Sequence, residues 1–410
     1  MRRSAVTLLA AGLVACSSGG GVPPIGDGKD SGPGSDAATK DAAADVATSD
    51  AASDGGSDAS DANASDAGGP TFVDVADTTC QGLASDAGAV LVAGPGAPRF
   101  TTTAAVSSRR FAASEDQVLT FDTDGANAGA PFAPPAIDAI VDASEGSAIA
   151  VASLNSGAVG FTRYDASGAV TLATQTLQAS TPAGDPALAI ASRSGASLVV
   201  WRQGTNLRGL EYTTSAGATV DFGASTFGSS VDVAAAPTSN GYVVAWTGDP
   251  GDGTYRLRFT TWGATSNVTV SYKQTAPMHV VRIVPAASGS GWAALVNSEF
   301  PQAAVLLVPL DASGNVSGSI RRYLGATYAW DVASSNAGYA LVARRATNEP
   351  EWRSLTTSGD GQSSWVCLDG SLGNQIGGSA VDSDGTLWAT VYSTQNGGAS
   401  FVRLDSTGTP

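Results

Sequence analysis

A unit of sequence that recurs at near-constant spacing constrains a fold more than any single residue does. Every copy must adopt the same local structure and bury its apolar surface on its neighbours. From Thr71 onward this chain carries such a unit. A short strand of small residues leads to a turn with Gly, then to a strongly apolar strand; a loop follows, and a further strand ends in Asp-x-x-Gly or a degraded form of it. The apolar strand is clearest in Ser197-Leu198-Val199-Val200-Trp201 and Tyr242-Val243-Val244-Ala245-Trp246, whose tryptophans lie 45 residues apart. Its equivalents are 147–153, 292–296, 339–343 and 386–392. The Asp-x-x-Gly ending stands at Asp122, Asp165, Asp311 and Asp405, and in altered form at 212–217, 260–266 and 355–359. These seven anchors average 47 residues from one to the next.

A period of this size, with four short strands per unit and no helical pattern, predicts an all-β chain folded as a β-propeller of seven blades, each of four antiparallel strands. The composition agrees: 50 Gly and only 14% charged residues suit short strands and tight turns. In the strand 242–246, Val243 and Ala245 face one way while Tyr242, Val244 and Trp246 face the other. Both faces are apolar, so the strand must be covered on both sides, as a blade stacked between two others would be. The first strand of each unit is rich in Ala, Ser and Val, as in 187–192, which suits the crowded axis of a propeller. The chain ends at Pro410, just after the seventh anchor, so the last blade lacks an outer strand. The segment 89–93, Ala-Val-Leu-Val-Ala, is expected to supply it and close the ring, which removes an open sheet edge. The competing arrangement is a pair of β-sandwiches or an open array.

The copies at 186–219 and 232–268 resemble repeats of large secreted bacterial proteins that carry a Tyr-Leu-Val-Val-Trp strand followed by an Asp-x-x-Gly turn. The segment 382–388 is similar to sensor-type propeller blades with Asp-Gly-x-Leu-Trp. This resemblance covers about residues 100–410; it implies a fold and a compartment and carries no catalytic residue.

The N-terminus reads as an address. Arg2 and Arg3 precede an apolar stretch, 5–15, that ends in Leu13-Val14-Ala15-Cys16. A positive start, a short apolar core and small residues at the cut describe an export signal. The cysteine makes the cut site resemble the lipobox of bacterial lipoproteins. That resemblance implies removal of residues 1–15 and acyl chains on Cys16, enough together for stable anchoring. Ser17, where Asp would mark inner-membrane retention in familiar Gram-negative sorting, points to the outer membrane. After lipidated Cys16, residues 17–70 are nearly all Gly, Ala, Ser and Asp, with ten Asp against Lys29 and Lys40. Such a stretch cannot bury enough apolar surface to offset chain entropy and is expected to be a disordered tether. It would average about 40 Å end to end. The domains are thus a signal at 1–15, a tether at 16–70 and a propeller at 71–410.

The remaining cysteines, Cys80 and Cys367, form an even pair in an exported chain, where disulfides persist. The alternative is two free buried thiols. Cys80 precedes the proposed closing strand, and Cys367 falls in the outer strand of the sixth blade by the repeat register.

The search for chemistry excludes more than it finds. A net charge of −16 argues against a nucleic-acid surface, which needs clustered Lys and Arg. There is no phosphate-binding glycine motif, no Gly-x-Ser-x-Gly elbow and no close His or Cys cluster for zinc, so no cofactor or metal is expected. His279, the only histidine, sits at a strand start and reads as a surface or inter-blade imidazole. Asp138, Asp185, Asp232 and Asp331 lie near the starts of first strands, a weakly registered acidic ring. The longest loops on that end, 247–255, 297–302 and 344–351, carry Asp249, Asp252, Glu299, Arg344, Arg345 and Glu349. Loops on a rigid scaffold are where binding usually resides. The sequence therefore points to a non-enzymatic envelope lipoprotein that binds a protein or a glycan through one propeller face. The rivals are a propeller-type glycan hydrolase or lyase, which would need a carboxylate pair or a His near the axis, and a structural subunit of an envelope assembly.

Overall fold

The structure is a computed structural model. It describes residues 69–410 apart from 84–89, 93–99, 107–108, 115–117, 123–136, 144–148, 156–157, 166, 179–186, 205, 223–231, 264–267, 300–302, 346–349, 369–378, 384–386 and 394–398. The lipobox with Cys16, the tether at 17–68, Asp185 and Glu349 lie outside the described residues. So do Gly125 and Gly385 of the repeat.

The described residues form strands and turns with no helix, and the strands make seven sheets. Sheet 1 comprises Phe100–Val106, Arg109–Ser114 and Val118–Phe121; sheet 2 comprises Ile137–Ala143, Ile149–Asn155, Ala158–Tyr164 and Val170–Gln178. Sheet 3 comprises Leu188–Arg193, Ala196–Gln203, Asn206–Tyr212 and Ala216–Asp221; sheet 4 comprises Asp232–Pro237, Tyr242–Gly248, Tyr255–Thr261 and Thr269–Gln274. Sheet 5 is built on Met278–Pro285, Trp292–Ser298, Ala304–Leu310 and Ile320–Tyr323. Sheet 6 is built on Ala326–Ser335, Gly338–Arg345, Pro350–Leu355 and Val366–Cys367; sheet 7 is built on Ser379–Ser383, Trp388–Ser393 and Ala399–Leu404. The first strands of successive sheets neighbour one another, and the first strand of sheet 7 neighbours that of sheet 1. This is a propeller-like arrangement, as the repeat predicts.

Both faces of each apolar strand are buried, for the reason given by the sequence. Val243 and Ala245 pack with Met278, Val296 and Leu306 of sheet 5, while Tyr242, Val244 and Trp246 pack with Leu198, Val200 and Leu207 of sheet 3. The Asp-x-x-Gly turns follow the third strand of a sheet. Asp311 Oδ1 accepts the backbone N–H groups of Ser313 and Asn315, and Asp405 Oδ1 accepts those of Thr407 and Thr409. The turns also dock on the preceding sheet. Thr269 donates to the Ser313 carbonyl, Tyr323 to that of Gly359 and Ser354 to that of Ser406. In sheet 3, where the acid is missing, Arg163 of sheet 2 donates to the carbonyls of Tyr212 and Thr213 instead. Gly408 needs its hydrogen: its φ is 85°, and a Cβ there would lie 2.7 Å from Val366 of sheet 6.

The N-terminal segment departs from the expectation of four strands per blade. It makes three strands, β1 (Phe72–Val75), β2 (Gln81–Gly82) and β3 (Val90–Val92). β3 pairs antiparallel with Ala399–Phe401 and is the fourth strand of sheet 7, as the sequence predicts. β1 pairs in parallel with Ile320–Tyr323 and β2 in parallel with Val366–Cys367, so sheets 5 and 6 have five strands. The reason is visible in the contacts. Asp74 takes two hydrogen bonds from Arg322, at 2.7 and 2.9 Å, and Asp77 takes one from Arg345, at 2.7 Å. Arg353 donates to the carbonyl of Ala76, and Val75 is buried against Leu295, Leu307 and Trp365. Cys80 is joined to Cys367 with their Cα atoms 5.5 Å apart. The segment is thus a strap that crosses the rims of three successive sheets. Cys80 reaches Cys367 along the edge of sheet 6 itself, rather than from the outside of the last sheet.

Candidate functional site

In every sheet the first strand begins, and the second strand ends, at the same end of the fold; Asp232 pairs with Thr247 and His279 with Asn297 in this way. This end of sheets 4 to 6 gathers residues from three sheets. His279 Nδ1 lies 2.7 Å from Asp232 Oδ2, and its Nε2 lies 3.7 Å from Glu299 Oε1. The hydrogen bond to Asp232, aided by both negative charges against partial burial, raises the His279 pKa above its ordinary value. The imidazole is therefore inter-sheet, as expected, and it links two acids that the sequence placed in different groups.

Sheet 6 is locked beside it. Asn297, buried, receives the Ala329 N–H at 2.7 Å and donates to the Ala329 carbonyl at 3.1 Å. Thr247, also buried, accepts the Val280 N–H of the next sheet. Next to this clamp, immediately before Ala329, stands Tyr328, which is 44% exposed. The Arg344 guanidinium lies over the Tyr328 ring, 5.7 Å from its centre. Partial burial, and the nearby Asp232 charge, push the Tyr328 hydroxyl pKa up. Tyr328 was not among the residues singled out from sequence. Its signal is weak, because the same first strand carries a second large aromatic, Trp330, two positions on.

Other predicted residues have structural partners. Asp249 Oδ1 accepts the N–H groups of Gly251, Asp252 and Gly253, which folds the loop onto itself. Asp252 pairs with Arg256, whose bonding holds the Asp252 carboxyl below the usual carboxylate range. Arg345 is held by Asp77 of the strap and lies 3.4 Å from the buried Glu351. Asp331 stands in mid-strand, buried, and accepts the N–H groups of Val332 and of Val381 in sheet 7; it does not belong to a ring with Asp232. The side chain of Asp138 lies outside what is described.

Among the described residues, Cys80, Glu351 and Cys367 alone have metal-ligating proximity, their donor atoms lying within 4.8 Å of one another. The disulfide withdraws both sulfurs from that role.

No protein-family profile matches the chain, and no curated protein matches it. Solved structures do. A chain titled as part of the mitotic checkpoint complex is similar with a TM-score of 0.52 and 15% identity, over 77% of this chain and 94% of that one. Hsv2 from Kluyvelomyces marxianus is similar with a TM-score of 0.46 and 10% identity, over 72% of this chain and 89% of that one. The first of these likenesses supports the propeller-like fold; at this identity it speaks to the fold alone.

Proposed function

We propose that this chain is a cell-envelope lipoprotein that displays a seven-bladed propeller, closed by its N-terminal strap, as a non-enzymatic binding module. The binding face is the end of sheets 4 to 6 around His279, Glu299, Tyr328 and Arg344. The single observation that carries this reading is Tyr328. An exposed aromatic side chain follows a backbone position that the buried Asn297 clamps, and it is set among groups of both charges. Rigid aromatic anchors ringed by polar groups are where binding energy concentrates.

Two further features fit. The disulfide is consistent with an oxidising compartment outside the cytoplasm. The lipobox at 13–16 would anchor the chain through Cys16, in the outer membrane by the identity of Ser17. Within the domain, β1 runs parallel to the fourth strand of sheet 5, so Phe72 lies towards the end away from His279.

The experiment measures binding of the labelled mature chain to isolated envelope material. Replacing Tyr328, Glu299 and Arg344 together by Ala should lower binding at least about tenfold without lowering the melting temperature. Undiminished binding by this variant would overturn the assignment of the face.

A further inference from the structure

The groups on this face also say what kind of ligand it suits, an inference that rests on the binding reading above. Tyr328 offers an exposed aromatic ring with the Arg344 guanidinium over it. Asp232 and Glu299 offer acceptors, with side chains 41% and 63% exposed. Arg344 offers donors from a guanidinium that lies over one face of the Tyr328 ring, 5.7 Å from its centre. An ionic ligand would use only half of this set. A cation would meet Arg344, and an anion would meet Asp232 and Glu299. A neutral ligand that has a flat apolar face and carries both donors and acceptors around its edge uses all of it. A pyranose ring is such a ligand: its axial C–H groups can lie on the Tyr328 ring while its hydroxyls donate to the carboxylates and accept from the guanidinium.

We propose that Tyr328, Arg344, Glu299 and Asp232 form a subsite for a neutral glycan. Tyr328 is the platform and Arg344 the donor. His279, between Asp232 and Glu299, is a positioning residue: only an imidazolium has an N–H for each of the two carboxylates at once. The dominant contact is ring stacking, so the hydroxyl of Tyr328 is dispensable and its ring is not.

The test uses the intact mature chain and four neutral probes, the tetrasaccharides of cellulose, starch, mannan and chitin, with binding read by saturation-transfer NMR and calorimetry. At least one should bind. For that one, Tyr328→Ala should weaken binding at least about tenfold, Tyr328→Phe should leave it within about threefold, and Glu299→Gln should weaken it less than Tyr328→Ala does. If none of the four binds, or if binding survives Tyr328→Ala, the glycan subsite is wrong. Loss of envelope binding by the face variants with no saccharide bound would overturn the glycan assignment and leave the binding face standing. Loss of neither would overturn both.

Discussion

His279 Nδ1 lies 2.7 Å from Asp232 Oδ2, across the boundary between two sheets and 47 residues apart in sequence. The imidazole also faces Glu299 through its other nitrogen, and no second histidine exists to share its role. Because the His279 pKa is raised in the folded chain, its protonation stabilises the fold below the ordinary value of 6.5, and that contribution is lost as pH rises through the raised value. Both side chains partly face water, so the effect should stay below about 1 kcal/mol. Melting of the wild type and of His279→Gln at pH 5.5 and 8.5 checks it. The wild type should hold an advantage at the lower pH that shrinks at the higher one; a gap that widens with pH would contradict the pairing.

The strap makes a second prediction. Removing residues 69–95 deletes β1 and β2 from sheets 5 and 6 and the fourth strand of sheet 7 together. The whole domain should melt at a lower temperature in one cooperative step, since each lost strand bares a neighbouring sheet edge. Equal melting of the truncated and intact chains would show that the ring is held shut by other means.

Within the strap, two arginines should differ in their effect. Arg322→Ala breaks an exposed, solvent-screened pair with Asp74 and should cost little. Arg345→Ala removes a charge that bonds Asp77 and lies 3.4 Å from the buried Glu351, and it should cost more than Arg322→Ala does. Chemical denaturation of the two variants decides it, and equal losses would contradict the difference.

The bond between Cys80 and Cys367 spans 287 residues. Loop-closure entropy sets a ceiling of about 6 kcal/mol on its contribution, and a loss of about 2–5 kcal/mol is expected for Cys80→Ser with Cys367→Ser. Peptide mapping under non-reducing conditions should recover the two cysteines as one linked pair. Two free thiols in protein folded in oxidising medium would contradict the path of the strap.

The repeat made most of this architecture readable, because strand period and turn chemistry are local properties. The opposite faces of Val243 and Trp246 could be assigned from alternation alone, and they lie where that assignment puts them. The ring-closing strand could be found because an apolar run stood upstream of a last unit that lacked one. β1 and β2 could not. Each is held by partners more than two hundred residues away, such as Arg322 for Asp74, and Phe72-Val73-Asp74-Val75 carries no mark of the repeat. The same holds for the face. Glu299 and Arg344 were visible as loop residues, whereas the approach of His279 to Asp232 and the exposure of Tyr328 depend on how one sheet is set against the next.

The most direct measurement is a residue-specific photocrosslinking scan of the chain in intact cells. A photoreactive residue is placed in turn at Glu299, at Arg344, and at Thr214, which lies in an exposed turn at the other end of sheet 3. Discrete adducts should form from positions 299 and 344, disappear when Tyr328→Ala is added, and be absent from position 214. Adducts from position 214 alone, or adducts at 299 and 344 that persist without the Tyr328 ring, would contradict a binding face built around that residue.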